Sequence, residues 1–72
     1  MRILGIDPGF ERLGIAILEK SLKNKRETVI FSECFKTSVK LDFPERLRLI
    51  GEEVRTIIKN YKPEVLAIET LF

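Results

Sequence analysis

Two carboxylates, Asp7 and Glu69, are the side chains of this sequence best placed to do chemistry. Each directly follows a short apolar run, ILGI at residues 3–6 and VLAI at residues 65–68. A carboxylate at the end of a buried strand costs several kcal/mol unless a partner charge, hydrogen bonds or a metal ion compensates it. The nature of that compensation decides what this part of the molecule can do.

Residues that the sequence lacks narrow the possible chemistry. It contains no histidine, which excludes Ser-His and Cys-His nucleophiles. Its single cysteine, Cys34, excludes an internal disulfide. The two together argue against a zinc site. Carboxylates favour a hard, oxygen-ligated ion such as Mg²⁺. If Asp7 and Glu69 were neighbours, a divalent ion would relieve their repulsion. Two ions about 3.5–4 Å apart can activate a water and stabilise the leaving oxygen of a phosphodiester.

Each carboxylate also has a purely structural interpretation. Asp7-Pro8-Gly9 is an ordinary turn sequence, and a glutamate such as Glu69 near the end of a strand is often merely exposed. Taken singly, the structural interpretation is the commoner one. The catalytic interpretation requires that the two strands lie side by side.

The length of 72 residues allows one small domain, and such a chain buries only about 60% of its unfolded surface. With 44% hydrophobic and 33% charged residues the chain is expected to be globular. The net charge of +2 permits a polyanionic partner without requiring one. Four basic residues fall in the polar connection at 20–26, where a solvated hairpin tip is favoured over a DNA-binding patch: Lys20, Lys23, Lys25 and Arg26.

The expected location is the cytoplasm. The apolar runs are too short to cross a bilayer, and the start of the sequence has no signal-peptide pattern. One cysteine fits a reducing compartment.

Apolar runs and turn signals predict the strands. They indicate strands at 2–7, 12–19 and 27–37, and a fourth strand in the stretch VLAIETLF at 65–72.

One helix is predicted between the third and fourth strands. Asp42 and Glu45 have the spacing of a capping box, Pro44 suits a first turn, and Lys62-Pro63 ends the helix. An apolar stripe at spacings of three and four residues is expected to face the sheet: Leu47, Ile50, Val54, Ile57 and Tyr61.

The connections between these elements predict the topology. Three strands joined by short links form an antiparallel meander, and a crossover helix returns the fourth strand parallel to the first. The fourth strand then lies on the side of the first strand opposite to the second strand, which makes the first strand a topological switch point. Ligand crevices lie beyond the carboxyl ends of the strands at a switch point. Asp7 and Glu69 are therefore expected at one crevice.

These stretches also resemble a known family. ILGIDPGFERLGIAIL at 3–18 resembles the first two strands of RuvC-type Holliday junction resolvases, and SECFKT at 32–37 resembles their third. FPERLRLI at 43–50 and KPEVLAIETLF at 62–72 resemble the first helix and fourth strand. GIDPG alone is a weak signal, but its combination with AIExxF in the expected order is specific.

The resemblance implies an RNase H-like α/β fold, a mixed sheet here truncated after strand four. It also implies a Mg²⁺-dependent endonuclease that acts as a homodimer on four-way DNA junctions in recombination and repair. Asp7 and Glu69 match two acidic metal ligands of the family and would be catalytic. Phe72 matches an aromatic residue that stacks on DNA bases at the junction centre, and such stacking contributes about 1–3 kcal/mol per base.

The family pattern continues beyond residue 72 to a final helix that carries further acidic ligands. The chain is therefore expected to be an N-terminal part of a single nuclease domain that does not cleave junctions by itself, because Mg²⁺ needs several well-placed oxygens. Its bare sheet face and open edge strand predict self-association. Alternatives are a YqgF-type nuclease acting on RNA, an actin-like ATPase, or a non-catalytic dimerisation or DNA-binding module.

Overall fold

The computed structural model describes residues 1–9 and 12–68, which form one mixed sheet and one helix. The elements are β1 (Arg2–Asp7), β2 (Arg12–Lys20), β3 (Glu27–Lys36), α1 (Phe43–Tyr61) and β4 (Val65–Ile68). Each element type was predicted from the sequence. The ends of β2 and β3 differ from the predicted ends by a single residue, and the stretch after Ile68 lies outside the described residues.

The sheet has the strand order β3-β2-β1-β4. β1 pairs antiparallel with β2, and β2 pairs antiparallel with β3, so the predicted meander is confirmed. β1 pairs parallel with β4 in a register that joins Ile3 to Val65 and Ile6 to Ile68. β1 is therefore an inner strand with a neighbour on each side, and the predicted crossover around it is confirmed.

The core lies between α1 and one face of the sheet. Strand residues alternate between two faces, so every second residue of β1 and β2 points at the helix. Leu4 and Ile17 are cross-strand partners at the centre of this layer, and each is fully buried. The buried apolar core consists of Leu4, Leu13, Ile15, Ile17 and Ile57.

The start of α1 uses half of the expected capping box. A carboxylate oxygen of Asp42 accepts a hydrogen bond from the backbone N–H of Glu45 at 3.0 Å. The carboxylate of Glu45 instead accepts hydrogen bonds from the guanidinium of Arg48, one turn later, which also pairs with Glu52. Both kinds of bond are charge-assisted, and the Glu45 carboxylate is engaged by Arg48 rather than by the backbone N–H at the N-cap.

Four of the five residues of the predicted apolar stripe face the sheet, with Ile57 in the buried core, and the fifth, Leu47, does not. Ile50, Val54 and Tyr61 pack against the core, but Leu47 is 51% exposed. Arg46 is buried in its place, 7% exposed, and its Nε donates to the hydroxyl of Thr37 at 3.0 Å. The spacing of apolar residues identified the helix and its buried face correctly and was wrong at Leu47 alone.

The described surface leaves much apolar area open. α1 covers one face of the sheet, and within the described residues no helix covers the other. On β4, Val65, Leu66 and Ile68 are each more than 40% exposed. No helix in residues 1–9 and 12–68 is both long and apolar enough to span a bilayer.

Because Ile17 lies in the core, shortening its side chain should destabilise the fold by a measurable amount. Ile17→Val should lower the free energy of unfolding by about 0.5–1.5 kcal/mol, because it removes a methylene from a site with no exposed surface. Ile58→Val makes the same change at a residue that is 45% exposed and should stay within about 0.5 kcal/mol. Urea unfolding followed by circular dichroism measures both, and equal losses would contradict this packing.

Candidate functional site

Asp7 is the last residue of β1 and lies on the sheet face opposite to the helix. Its cross-strand partner is Gly14 of β2. Asp7 is exposed, and its side chain makes no hydrogen bond or ion pair with any described residue. The strand therefore ends in a carboxylate whose oxygens are open to an external ligand.

Gly14 provides the space beside this carboxylate. A Cβ atom at position 14 would lie 3.2 Å from the Cβ of Asp7 and 3.9 Å from its Oδ2. The first separation is tighter than ordinary van der Waals contact, so an alanine there would press against the aspartate side chain. This glycine was not among the residues predicted from the sequence, although the hairpin register of β1 and β2 identifies it.

Gly9 keeps the connection from β1 to β2 tight. A Cβ atom at Gly9 would overlap the backbone oxygen of Arg12, so any other residue at this position would force the turn to open. The Asp7-Pro8-Gly9 sequence thus has the structural role expected of a turn. It also brings β2 back beside Asp7, so the structural and chemical interpretations of this stretch are compatible.

The second predicted carboxylate, Glu69, and the predicted base-stacking residue Phe72 lie outside the described residues. The last described pair of the parallel register is Ile6 with Ile68. Asp7 and Glu69 are the residues that follow these two partners in the sequence. The strand pairing on which their proximity depends is confirmed, and the proximity itself stays a prediction.

A shallow groove of about 350 Å³ runs along the open sheet face and reaches Asp7. Its lining is mainly apolar and includes Ile3, Gly5, Ala16, Leu18 and Ala67. Asp7 and Glu33 are the acidic residues of this lining, and Asp7 is the one at the carboxyl end of β1.

No group of three or more histidine, cysteine, aspartate or glutamate side chains able to hold a metal occurs in the described ranges. Asp7 is thus the one carboxylate that the described residues contribute at the carboxyl end of β1. Its exposed oxygens, which pair with no residue in the described ranges, suit a hard cation such as Mg²⁺, which takes carboxylate ligands and keeps several waters. A complete site would need further oxygen ligands.

Another carboxyl group, Glu33 of β3, has an unusual environment on the helix side of the sheet. Its Oε2 is buried and has no hydrogen-bond partner among the described residues. Burial raises the pKa of Glu33 above its ordinary value of 4.5, and the nearby carboxylate of Glu53 on α1 raises it further. Because it lies on the opposite face from Asp7, Glu33 is assigned to the packing of the helix.

The fold and the position of Asp7 define the class. A three-stranded meander, a crossover helix and a fourth strand parallel to the first form an RNase H-like sheet, with a carboxylate at the switch point. The family model described as "Crossover junction endodeoxyribonuclease RuvC" matches residues 3–72. The chain belongs to the RuvC family of crossover junction endodeoxyribonucleases.

Individual relatives agree with this assignment. The chain is 43% identical over 72 residues to the RuvC protein of Fusobacterium nucleatum and 42% identical to that of Petrotoga mobilis, covering all of this chain in both. It covers 37% and 43% of those two proteins. The chain therefore spans less than half the length of the curated relatives it matches.

Solved structures show the same fold. The chain matches a Thermus thermophilus RuvC structure with a TM-score of 0.90 at 30% identity, covering 100% of this chain and 44% of that one. It matches T. thermophilus RuvC in complex with a Holliday junction substrate with a TM-score of 0.88 at 29% identity, covering 100% and 46%. Family membership argues against the YqgF-type and ATPase alternatives.

The environment of Glu33 predicts a pH dependence. Because its pKa is higher in the folded chain than the ordinary 4.5, this group makes the free energy of unfolding decrease as the pH rises from about 4.5 through the raised pKa. Glu33→Gln should remove that decrease. The variant should be more stable than the unmodified chain at pH 7, and the difference should vanish below about pH 4.5.

Urea unfolding at a series of pH values measures this difference. Glu27→Gln, at the exposed start of β3, removes one carboxylate elsewhere on the same strand and serves as the control for net charge. A Glu33→Gln variant that is less stable than the unmodified chain at pH 7 would show that the glutamate stabilises the fold in its charged form.

Proposed function

We propose that this chain forms the N-terminal part of a Mg²⁺-dependent endonuclease that resolves four-way DNA junctions in recombination and repair. The observation that carries the proposal is the parallel register of β1 and β4, whose last described pair, Ile6 and Ile68, directly precedes Asp7 and Glu69. Family membership and the likeness to a RuvC structure bound to a Holliday junction substrate support it. A reducing, cytoplasmic setting is part of the proposal and fits the free, exposed Cys34.

The proposed roles of the chain's own residues follow from their positions. Asp7 and Glu69 hold the cation, and Gly14 leaves the Asp7 carboxylate room to do so. Phe72 stacks on an exposed base of the junction. Bound Mg²⁺ would supply the positive charge that activates a water and stabilises the leaving oxygen of the phosphodiester.

The 72-residue chain alone is proposed to be inactive, since two carboxylates leave a Mg²⁺ site short of ligands. The longer protein should cut a labelled four-way junction in the presence of Mg²⁺, and the 72-residue chain should not. In the longer protein, Asp7→Asn should reduce the cleavage rate by at least about 10–100-fold, the loss that follows removal of even an outer-shell partner of a metal, because Asp7 is a direct ligand.

Asp42→Asn is a matched control for this substitution. It makes the same chemical change at the helix N-cap, where asparagine caps as well as aspartate, so cleavage should be unaffected. Junction cleavage by the 72-residue chain that Asp7→Asn abolishes would contradict the proposed inactivity. Normal cleavage by the longer Asp7→Asn protein would contradict the role of Asp7.

Self-association through the exposed surface of β4 is also proposed. The strand is at an edge of the described sheet, and it exposes Leu66 and Ile68 on one face and Val65 on the other. An unpaired edge with apolar side chains is a template for pairing with a second copy.

Analytical ultracentrifugation at micromolar concentration should therefore detect dimers or larger assemblies of the 72-residue chain. Leu66→Lys should shift the equilibrium toward monomer, because a charge on an edge strand disfavours pairing. Leu22→Lys, at a residue 82% exposed in the β2–β3 connection, is the control and should leave the equilibrium unchanged. A single monomeric species of the unmodified chain would contradict the proposal.

A further inference from the structure

Arg12 and Lys36 form a pair of like charges at one end of the sheet. They are direct cross-strand partners, at the start of β2 and the end of β3, and both are exposed. Their neighbours Leu13 and Phe35 face α1, so strand alternation places both cations on the open face. Directly opposite side chains in an antiparallel pair have Cβ atoms about 4.5–5.5 Å apart.

This pair lies beside Asp7. Gly14, the partner of Asp7, is two residues along β2 from Arg12, and both point to the same face. Two residues of strand correspond to about 6.8 Å. The two cations therefore stand just beyond the carboxyl end of β1, next to the carboxylate and at the mouth of the same crevice.

Nothing in the described part of the chain neutralises the two cations. Neither Arg12 nor Lys36 forms an ion pair or a side-chain hydrogen bond there, whereas Arg2 pairs with Glu19 at 3.3 Å and Arg48 pairs with two glutamates. Like charges directly opposite one another destabilise a sheet. An external anion that contacts both side chains would remove that repulsion.

We propose that Arg12 and Lys36 form a binding site for the phosphate backbone of nucleic acid, beside the carboxylate at which cleavage takes place. The inference rests on the proposed function and adds two positioning contacts to it. Arg12 and Lys36 hold the phosphates next to the reacting one, and this offsets the repulsion between Asp7 and the polyanion. Contacts to phosphate fix the position of the DNA without reading its sequence.

The other basic group of the chain provides a matched control. Lys23 and Arg26 lie in the connection that follows the far end of β2. β2 has nine residues, and a strand rises about 3.3 Å per residue, so this group is more than about 20 Å from Arg12. Replacing Lys23 and Arg26 by neutral residues changes the net charge by the same amount as replacing Arg12 and Lys36, but at the opposite end of the sheet.

The test measures binding of a fluorescently labelled four-way DNA junction, and of a duplex with the same arm sequence, by anisotropy from 50 to 200 mM salt in EDTA. Arg12→Gln with Lys36→Gln should weaken binding to both DNAs and reduce the slope of log affinity against log salt by about 2, because each lost phosphate contact contributes about 1. The ratio of the affinity of the unmodified chain to that of the Arg12/Lys36 variant should then fall by about tenfold as the salt concentration rises from 50 to 200 mM. Lys23→Gln with Arg26→Gln should leave the slope within about 0.5 of the unmodified value.

Equal slopes for the unmodified chain and the Arg12/Lys36 variant would overturn the proposal, and so would an equal reduction in the Lys23/Arg26 variant. If the longer protein cleaves junctions but the Arg12/Lys36 slope is unchanged, the phosphate site alone is wrong. If the unmodified chain binds neither DNA, the phosphate site is wrong, and so is the part of the proposed function that requires residues 1–72 to contact DNA.

Discussion

The parallel pairing of β1 with β4 is the constraint on which the rest of this structure depends. The described pairing is short, running from Ile3 with Val65 to Ile6 with Ile68, yet it places β1 between an antiparallel and a parallel neighbour. Only a crossover can produce that arrangement, because parallel strands cannot be joined by a tight turn. The carboxyl end of β1, where Asp7 stands, is therefore a switch point by construction.

The crossover helix is held at both ends by arginine side chains. Near its start, Arg46 donates from Nε to Thr37, which follows β3 at the Asp7 end of the sheet. At its other end, Arg2 donates from Nη1 to the backbone oxygen of Tyr61 at 2.9 Å. The 19-residue helix is about 28 Å long, enough to run the full length of β1. Its length and these two attachments align β4 with β1.

The sequence was sufficient for the elements and for their order, because turn residues and capping residues act locally. Asp42 and Glu45 show where it was insufficient: the spacing of a capping box was present, but Arg48 competed for the glutamate. The burial of Arg46 in place of Leu47 has a similar cause, since periodicity identifies a helical face only to within about one residue. Asp7 was found because a charge ends an apolar run, whereas Gly14 has no such local signal and becomes visible only through the register.

The two ends of the sheet differ in whether their charged groups have partners of opposite charge among the described residues. At the end near Met1, the carboxylate of Glu19 lies close to two positive charges, the N-terminus and Arg2. At the Asp7 end, a strand contains a glycine with no side chain to pack, a carboxylate has no described partner, and two cations face each other across β2 and β3. Each of these features costs stability, and violations of local rules concentrate where a protein functions. These charges have opposite signs on one face, which agrees with the proposed cation site beside a proposed phosphate contact.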